Sequence, residues 1–195
     1  MTCSPACERN KRPILERLQV WLAEVCSVVE IGSGTGQHAL YFAEQLPWLR
    51  WQPTDTGEYF RMLARQLEQA RPANLCAPLE LDVRSPVWPV RSADAVFTAN
   101  TLHYMSKGAN EALVAGCAEL LPPGGLLLVY GPFRYGGAFT APSNARFDEW
   151  LKASDLQRGV RDFEWLEAVA AAQGLHLRDD VAMPANNQLL IWQRA

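Results

Sequence analysis

The sequence predicts an α/β, Rossmann-like fold, in which a seven-stranded, mostly parallel sheet carries helices on both faces and ends in an antiparallel hairpin. Three observations support this class. Residues 27–36 are a β-branched run that breaks into three glycines, strand-like and helix-like segments alternate as far as residue 130, and two strand-like runs close the chain. Alternating strands and helices imply parallel strands joined by right-handed crossovers, whereas two consecutive strands with a short connection imply a hairpin.

The elements follow from local patterns. Apolar residues recur at helical spacing from Pro13 to Val25, and Pro13 suits the first turn of a helix. The first strand, 27–31, leads through the glycines into a helix that Pro47 ends. The remaining predictions are strands at 49–55, 79–82, 95–99, 126–130, 175–183 and 188–193, and helices at 37–46, 58–71, 109–121, near 147–154 and at 162–173.

Composition favours one domain over residues 1–195. The apolar fraction of 49% and net charge of −3 are ordinary for a globular protein, and no apolar run approaches the ~20 residues of a membrane span. Lys and Arg form no block, which argues against nucleic acid as a partner. The five cysteines are scattered and the amino terminus lacks a secretory pattern, so we expect reduced thiols, no metal site and a cytoplasmic protein, either a monomer or a homodimer.

The glycine turn indicates a small-molecule cofactor, because glycines let backbone amides approach a ligand closely. Two interpretations compete. Gly34, Gly36 and Ala39 match the looser dinucleotide fingerprint, with Asp55 nineteen residues after Gly36, where a ribose carboxylate is expected. Against that pattern, Gly34 lies two residues beyond Gly32, and Glu30 interrupts the end of the strand.

The segment 30–36, EIGSGTG, resembles motif I of the class I S-adenosylmethionine (SAM)-dependent methyltransferases, and a terminal antiparallel hairpin is typical of that fold. Further segments resemble the family called domain of unknown function 938, relatives of methyltransferase-like protein 26. They are ACERNK at 6–11, GPF at 131–133, TAPSN at 140–144 and MPANN at 183–187. The resemblance extends from about residue 4 to residue 194.

The resemblance implies a role for each of several residues in binding SAM and its product, S-adenosylhomocysteine. The backbone of Gly32, Ser33, Gly34 and Gly36 would approach the methionine portion. Glu30 would hold its ammonium, Asp55 the ribose hydroxyls and Asp82 the adenine amino group, with Val83 on the ring and the Asn100 carbonyl near the ammonium. Each acid has a structural alternative, since Glu30 or Asp55 could cap a helix and Asp82 could begin a turn.

We expect the acceptor pocket at the edge of the sheet that carries the glycine turn. The segments after the fourth and fifth strands and the tip of the final hairpin emerge there, and residues 131–161 add an acceptor-side loop and helix. His103 is the candidate general base beside Asn100 and Tyr104, and a structural histidine is the alternative. The expected substrate-binding residues are Tyr130, Phe133, Arg134, Tyr135, Asn144, Asn186 and Asn187.

Residues 1–26 are expected to form a lid and a lead-in helix, with Arg9 or Asn10 touching cofactor or acceptor. His38 and His176 are interpreted as structural. Cys7 has no neighbouring base in the sequence, so we predict no nucleophilic role for it.

These patterns predict a SAM-dependent methyltransferase that acts on a small-molecule acceptor. A non-catalytic SAM-binding module or partner subunit is the first alternative, because no residue is chemically indispensable. An NAD(P)-dependent reductase is the second, although the Tyr-x-x-x-Lys pair of one such class is missing.

Overall fold

A computed structural model describes residues 4–68 and 71–195 and divides at residue 98 into two compact units. The elements that begin in the first unit are α1 (Pro5–Trp21), β1 (Ser27–Ile31), α2 (Gln37–Gln45), β2 (Arg50–Asp55), α3 (Gly57–Leu67), β3 (Leu79–Glu80) and β4 (Ala95–Ala99). Those of the second unit are α4 (Lys107–Leu120), β5 (Leu126–Gly131), β6 (Phe133–Tyr135), β7 (Ala138–Phe139), α5 (Pro142–Ser154), β8 (Arg161–Asp162), α6 (Phe163–Ala172), β9 (Leu175–Met183) and β10 (Asn187–Arg194).

The described strands form a seven-stranded sheet of order β3-β2-β1-β4-β5-β10-β9. β1 is parallel to β2 and β4, β2 is parallel to β3, and β10 is antiparallel to β5 and β9. The predicted fold class is therefore confirmed, including the terminal hairpin. No described helix is both long and apolar enough to cross a lipid bilayer.

An aromatic cluster forms the core of the first unit. The fully buried rings of Phe42 on α2, Trp51 on β2 and Phe97 on β4 lie with centroids 5.6 to 5.9 Å apart. Such ring pairs contribute roughly 0.5–1.5 kcal/mol each beyond the burial of their area. The cluster therefore holds α2, the helix that follows the glycine turn, on the strands that carry the site.

The second unit has its own core on β5 and β10. Every residue of β5 is buried, as are the four residues from Leu189 to Trp192 of β10. The indole nitrogen of Trp192 donates a hydrogen bond to Glu167 of α6, which satisfies the polar atom of a fully buried ring.

The predicted start of the first helix at Pro13 is wrong, because α1 begins at Pro5 and Pro13 lies inside it. Ser4 caps the helix by accepting a hydrogen bond from the Cys7 amide at 3.5 Å, and Pro5 occupies the first turn, where its missing N–H costs nothing. The helix continues past Pro13 because Ile14 and Leu18 are fully buried and outweigh the lost backbone hydrogen bond.

The long loop predicted after residue 131 is also wrong, because this segment contains β6 and β7, which form a three-stranded sheet with β8 in the order β7-β6-β8. Gly136 and Gly137, both at positive φ, make the two-residue turn between β6 and β7, a turn type that requires positive φ at both positions. Helix α5 starts at Pro142, five residues before the predicted boundary. The Gly-Gly pair is a signal for a hairpin, but the strands on either side have only three and two residues, too few to show an alternating pattern.

The third predicted strand, 79–82, is shorter than expected. β3 ends at Glu80, so Asp82 lies beyond it in a turn closed by the Ser85 amide on the Asp82 carbonyl at 2.9 Å. Asp82 therefore begins a turn, as its structural alternative predicts, and its contact with a cofactor stays a prediction. Helix α3 is described only to Leu67, and the predicted continuation across residues 69 and 70 lies outside the described residues.

We expect Asn74→Ala to destabilise the protein. The side-chain amide nitrogen of Asn74 lies 3.0, 3.2 and 2.8 Å from the carbonyl oxygens of Ala43, Leu46 and Leu49, so its two N–H groups satisfy the end of α2 and the chain before β2. Leaving partly buried carbonyls unpaired costs about 1–3 kcal/mol. Urea denaturation should show this loss for Asn74→Ala and a larger one for the isosteric Asn74→Asp, whose carboxylate would face the same carbonyl oxygens without a hydrogen to donate. An unfolding free energy within about 0.5 kcal/mol of the parent, the usual range for a surface substitution, would contradict this role.

Candidate functional site

The glycine turn joins β1 to α2 in a backbone conformation that requires glycine. Gly32, Gly34 and Gly36 have φ values of 74°, 56° and 75°, in the left-handed region that side chains disfavour. A Cβ on Gly36 would lie 2.9 Å from a methyl carbon of Leu63, whereas a Cβ on Gly34 would meet no described atom within 4 Å. The positive φ is therefore the reason for glycine at position 36, where a Cβ would also displace the Leu63 methyl group, and Gly34 leaves open space beside the backbone of the turn.

Glu30 lies at the end of β1 with its side chain buried. Its Oε2 atom accepts a hydrogen bond from the indole nitrogen of Trp51 at 3.0 Å. Burial raises the pKa of Glu30 to about 7, although hydrogen bonds from Trp51 and Ser33 favour the charged form, and nearby Asp55 raises it further. The predicted alternative of a helix cap is wrong, since the partner is a core indole on β2.

Asp55 joins the end of β2 to the glycine turn. One carboxylate oxygen accepts from the Gly34 amide at 2.7 Å and the other from the Thr56 amide at 2.8 Å. Burial is the largest influence on its pKa and raises it, while both amides act in the opposite direction. The N-cap of α3 is Thr56, so the alternative that Asp55 caps this helix is wrong. A strand-end carboxylate thus touches the turn, and together they form the candidate cofactor site.

Asp82 and Val83 follow β3 in the same unit. Asp82 is partly exposed and bound by Arg84, whose Nη2 lies 2.8 Å from Oδ2, and these hydrogen bonds lower the pKa of Asp82. Val83 is buried. In this conformation the Asp82 carboxylate faces a local arginine.

The amino-terminal segment forms the first turns of α1 and packs on α2. The Ser4 amide donates to Gln37 Oε1 at 2.6 Å, and the ammonium of Lys11 lies 5.0 Å from the centre of the Tyr41 ring. Arg9 is exposed, whereas Asn10 is buried with its Oδ1 atom 2.8 Å from Nε2 of His38. Of the segment expected to form a lid, residues 1–3 lie outside the described residues, and residues 5–21 form α1, which polar contacts hold on α2. Its movement stays a prediction.

Asn100 and His103 belong to the second unit. Asn100 adopts a positive φ of 56°, rare for residues other than glycine, and its amide donates to the Tyr130 carbonyl at 2.9 Å. His103 lies in a 3-10 turn, Leu102–Tyr104, with its ring centroid 4.6 Å from Tyr104 and 5.0 Å from Phe147. Burial, aided by the positive charge of Arg161, lowers the pKa of His103 to about 3. The imidazole is therefore neutral near pH 7, but it is a weaker base than an exposed histidine.

Arg161 holds the turn that carries His103, a role that the sequence did not indicate. Its buried guanidinium donates to the carbonyl oxygens of Leu102 at 3.3 Å, of Gln157 at 2.8 Å and of Met105. The Gly159 amide also donates to the His103 carbonyl at 2.9 Å. More than fifty residues separate Arg161 from the turn, so no local pattern could have predicted this contact.

The other predicted substrate-binding residues of the second unit mostly make hydrogen bonds or ion pairs within that unit, or are buried in it. Asn144 is buried, and its side-chain amide donates to Thr140 Oγ1 at 2.9 Å and to the Asn186 carbonyl at 3.0 Å, which brings together two predicted residues. The Tyr135 hydroxyl donates to Asp180 at 2.8 Å, and burial raises its pKa. The positions of the rest are as follows: Tyr130 and Phe133 are buried, Arg134 pairs with Asp162, and Asn187 donates to Pro184 and Ala185 carbonyls.

We expect Arg161→Gln to raise the pKa of His103, because it removes a cation that disfavours imidazolium. Burial is the larger cause of the low value, so the pKa should stay below the ordinary value of about 6.5. An NMR titration of the imidazole Cε1–H signals measures this shift, with the exposed His176 as the internal control. An unchanged His103 titration would show that Arg161 does not act on it.

Several solved structures with a similar fold are methyltransferases. An O-methyltransferase family protein from Burkholderia thailandensis has a TM-score of 0.79 at 19% identity over 97% of this chain and 57% of that one. Human N-acetylserotonin methyltransferase, solved with SAM, has a TM-score of 0.78 at 17% identity over 97% of this chain and 53% of that one. Mitomycin 7-O-methyltransferase has a TM-score of 0.78 at 19% identity over 96% of this chain and 57% of that one. The chain thus spans a little over half the length of these proteins, and identity this low shows the shared fold alone.

A comparison with family profiles identifies the same family that the sequence motifs resemble. The profile described as protein of unknown function DUF938 covers residues 1–194, and the chain belongs to this family, with the fold of the class I methyltransferases.

Proposed function

We propose that the chain is a SAM-dependent methyltransferase that transfers a methyl group to an O, N or S atom of a small-molecule acceptor. The observation that carries this proposal is the contact between the Asp55 carboxylate and the Gly34 amide, beside a buried Glu30. Three groups therefore lie at one turn. The Asp55 carboxylate can accept hydrogen bonds from hydroxyls, the Glu30 carboxyl can bind an ammonium, and the backbone at Gly34 has open space beside it. SAM contains ribose hydroxyls, an ammonium and an extended methionine chain, so its chemistry fits this donor and acceptor set.

When bound, SAM supplies an electrophilic methyl group on a sulfonium. The residues of the first unit bind and orient it. Each Asp55 oxygen already accepts one backbone amide, from Gly34 or Thr56, and each keeps a second lone-pair site that suits it to a ribose hydroxyl. Glu30 is suited to the ammonium because its buried carboxyl lies at the end of β1, next to the glycine turn. Methyl transfer gains most from proximity and orientation, so rigid placement of these groups is the main contribution expected of the protein.

The acceptor residues are proposed in the second unit, with His103 as the residue that takes a proton. A neutral imidazole is the form that can act as a base, and the depressed pKa keeps His103 in that form. The same low pKa limits its strength, so acceptors that are acidic or already deprotonated suit it best.

Binding of SAM without turnover is the second candidate function, and the weak basicity of His103 is the observation that favours it. A nicotinamide-dependent reductase is less favoured, because Glu30 is a buried acid near the end of β1 and an antiparallel hairpin forms one edge of the sheet. Calorimetric titration with SAM, S-adenosylhomocysteine and NADH separates the reductase from both SAM-binding functions. A screen for S-adenosylhomocysteine release across small acids, amines, phenols and thiols separates turnover from binding.

We expect Asp55→Asn to weaken SAM binding by about ten- to a hundredfold, since hydrogen bonds to a charged group are worth roughly 1.5–3 kcal/mol. The matched control is Asp94→Asn, which alters an acid at the amino end of β4 that binds the Cys26 and Ser27 amides. Calorimetry should show the loss for Asp55→Asn alone. Equal affinities for Asp55→Asn and the parent would contradict a ribose contact.

SAM affinity should rise as the pH increases from 6 to 8. Glu30 is largely protonated below its pKa of about 7, so binding of an ammonium at low pH requires that it release a proton, and this cost disappears above pH 7. Glu30→Gln should bind SAM more weakly and lose this part of the pH dependence. The same pH dependence in Glu30→Gln as in the parent would rule out Glu30 as its source.

A further inference from the structure

Three side chains of the first unit meet where α1 packs on α2. The sulfur of Cys7 lies 4.0 Å from Nδ1 of His38, and Nε2 of His38 lies 2.8 Å from Oδ1 of Asn10. Cys7 and Asn10 are three residues apart on α1, which places them on one face of the helix. A thiol, an imidazole and a carboxamide in this order are the nucleophile, base and orienting group of thiol-dependent catalysis.

The contacts determine which nitrogen of His38 carries the proton. The carbonyl oxygen of Asn10 can only accept a hydrogen bond, so Nε2 of His38 is the donor. Burial lowers the pKa of His38 to about 4, an effect that Lys11 reinforces and Glu8 opposes, and the ring is therefore neutral near pH 7. A neutral imidazole with its proton on Nε2 presents a lone pair on Nδ1, the atom that faces the thiol.

The ring of His38 is also held in one orientation. It stacks on Phe42 with centroids 5.2 Å apart and an interplanar angle of 11°, and it meets the edge of Phe97 at 6.5 Å. Together with Asn10, these rings keep Nδ1 directed at Cys7. Cys7 is half-buried, in contrast to the fully buried Cys117.

We propose that Cys7 is a nucleophilic thiol that reacts with α,β-unsaturated carbonyl compounds, with His38 as its base and Asn10 as the residue that orients the base. The thiol proton moves to Nδ1 of His38 while the sulfur bonds to the β-carbon of the electrophile. The π electrons of the carbon–carbon double bond form an enolate, whose α-carbon then takes the proton from His38. The reaction is an addition, so no group leaves and no oxidant is needed.

The first experiment measures the rate of modification at each cysteine with a limiting amount of N-ethylmaleimide, read by peptide mass spectrometry on the intact chain. The comparison residue is Cys26, which is exposed, and Cys117, which is buried, marks any loss of the fold. Without activation, a half-buried thiol should react more slowly than an exposed one. We expect Cys7 to react at least about tenfold faster than Cys26, below the usual range for general-base catalysis because the base is weak. A rate equal to or below that of Cys26 would overturn the proposal.

The second experiment uses variants for which the loss of a base and the loss of a structural contact would change the rate of Cys7 modification in opposite directions. His38→Gln should slow modification of Cys7 to the rate of Cys26 or below, whereas a merely structural histidine, once removed, would loosen α1 and increase the rate. Asn10→Ala should slow Cys7, and Asn10→Asp should restore the rate because it keeps an acceptor for Nε2. His176→Gln, which alters an exposed histidine on β9, is the matched control and should change nothing. An unchanged or faster rate at Cys7 in His38→Gln would exclude His38 as the base.

Discussion

The candidate site in the first unit depends on the hydrogen bonds to two buried carboxyl groups, Glu30 and Asp55, at the ends of adjacent strands. Removing a carboxylate from water costs several kcal/mol unless hydrogen bonds replace the lost hydration. Trp51 supplies one for Glu30, and the Gly34 and Thr56 amides supply two for Asp55. Because one of these donors belongs to the glycine turn, the same interaction that stabilises the acid also sets the position of the turn.

This dependence connects the hydrophobic core to the candidate site. Trp51 is a core residue through its ring and a site residue through its N–H, which reaches Glu30. Phe42, in contact with that ring, also stacks on His38, which follows the turn by two residues. Packing therefore fixes the polar groups before any ligand binds, which lowers the cost of ordering them on binding.

In the second unit a buried cation has the corresponding role. Arg161 directs its donors to backbone carbonyls of the His103 turn, and Asp148 supports the neighbouring chain by accepting from the Val160 amide at 2.8 Å. Burying a guanidinium costs free energy unless its N–H groups are hydrogen-bonded. The carbonyl oxygens of the turn supply these bonds, so the position of Arg161 and the conformation of the turn depend on each other. Burial is the main reason that His103 stays neutral near pH 7, and the charge of Arg161 adds to it.

Local patterns by themselves determined most of the elements, the glycine turn and the terminal hairpin, because strand, helix and turn preferences act over a few residues. They failed where neighbouring tertiary contacts outweighed them: buried Ile14 and Leu18 carry α1 through Pro13, and very short strands form the hairpin around Gly136 and Gly137. The sequence also placed Glu30 and Asp55 at strand ends, but only the tertiary structure decided what each carboxylate contacts. The same is true of Cys7, whose base lies thirty-one residues away on another helix, and of Arg161 beside the His103 turn. Contacts between residues so distant in sequence arise from the packing of elements, and no local spacing records them.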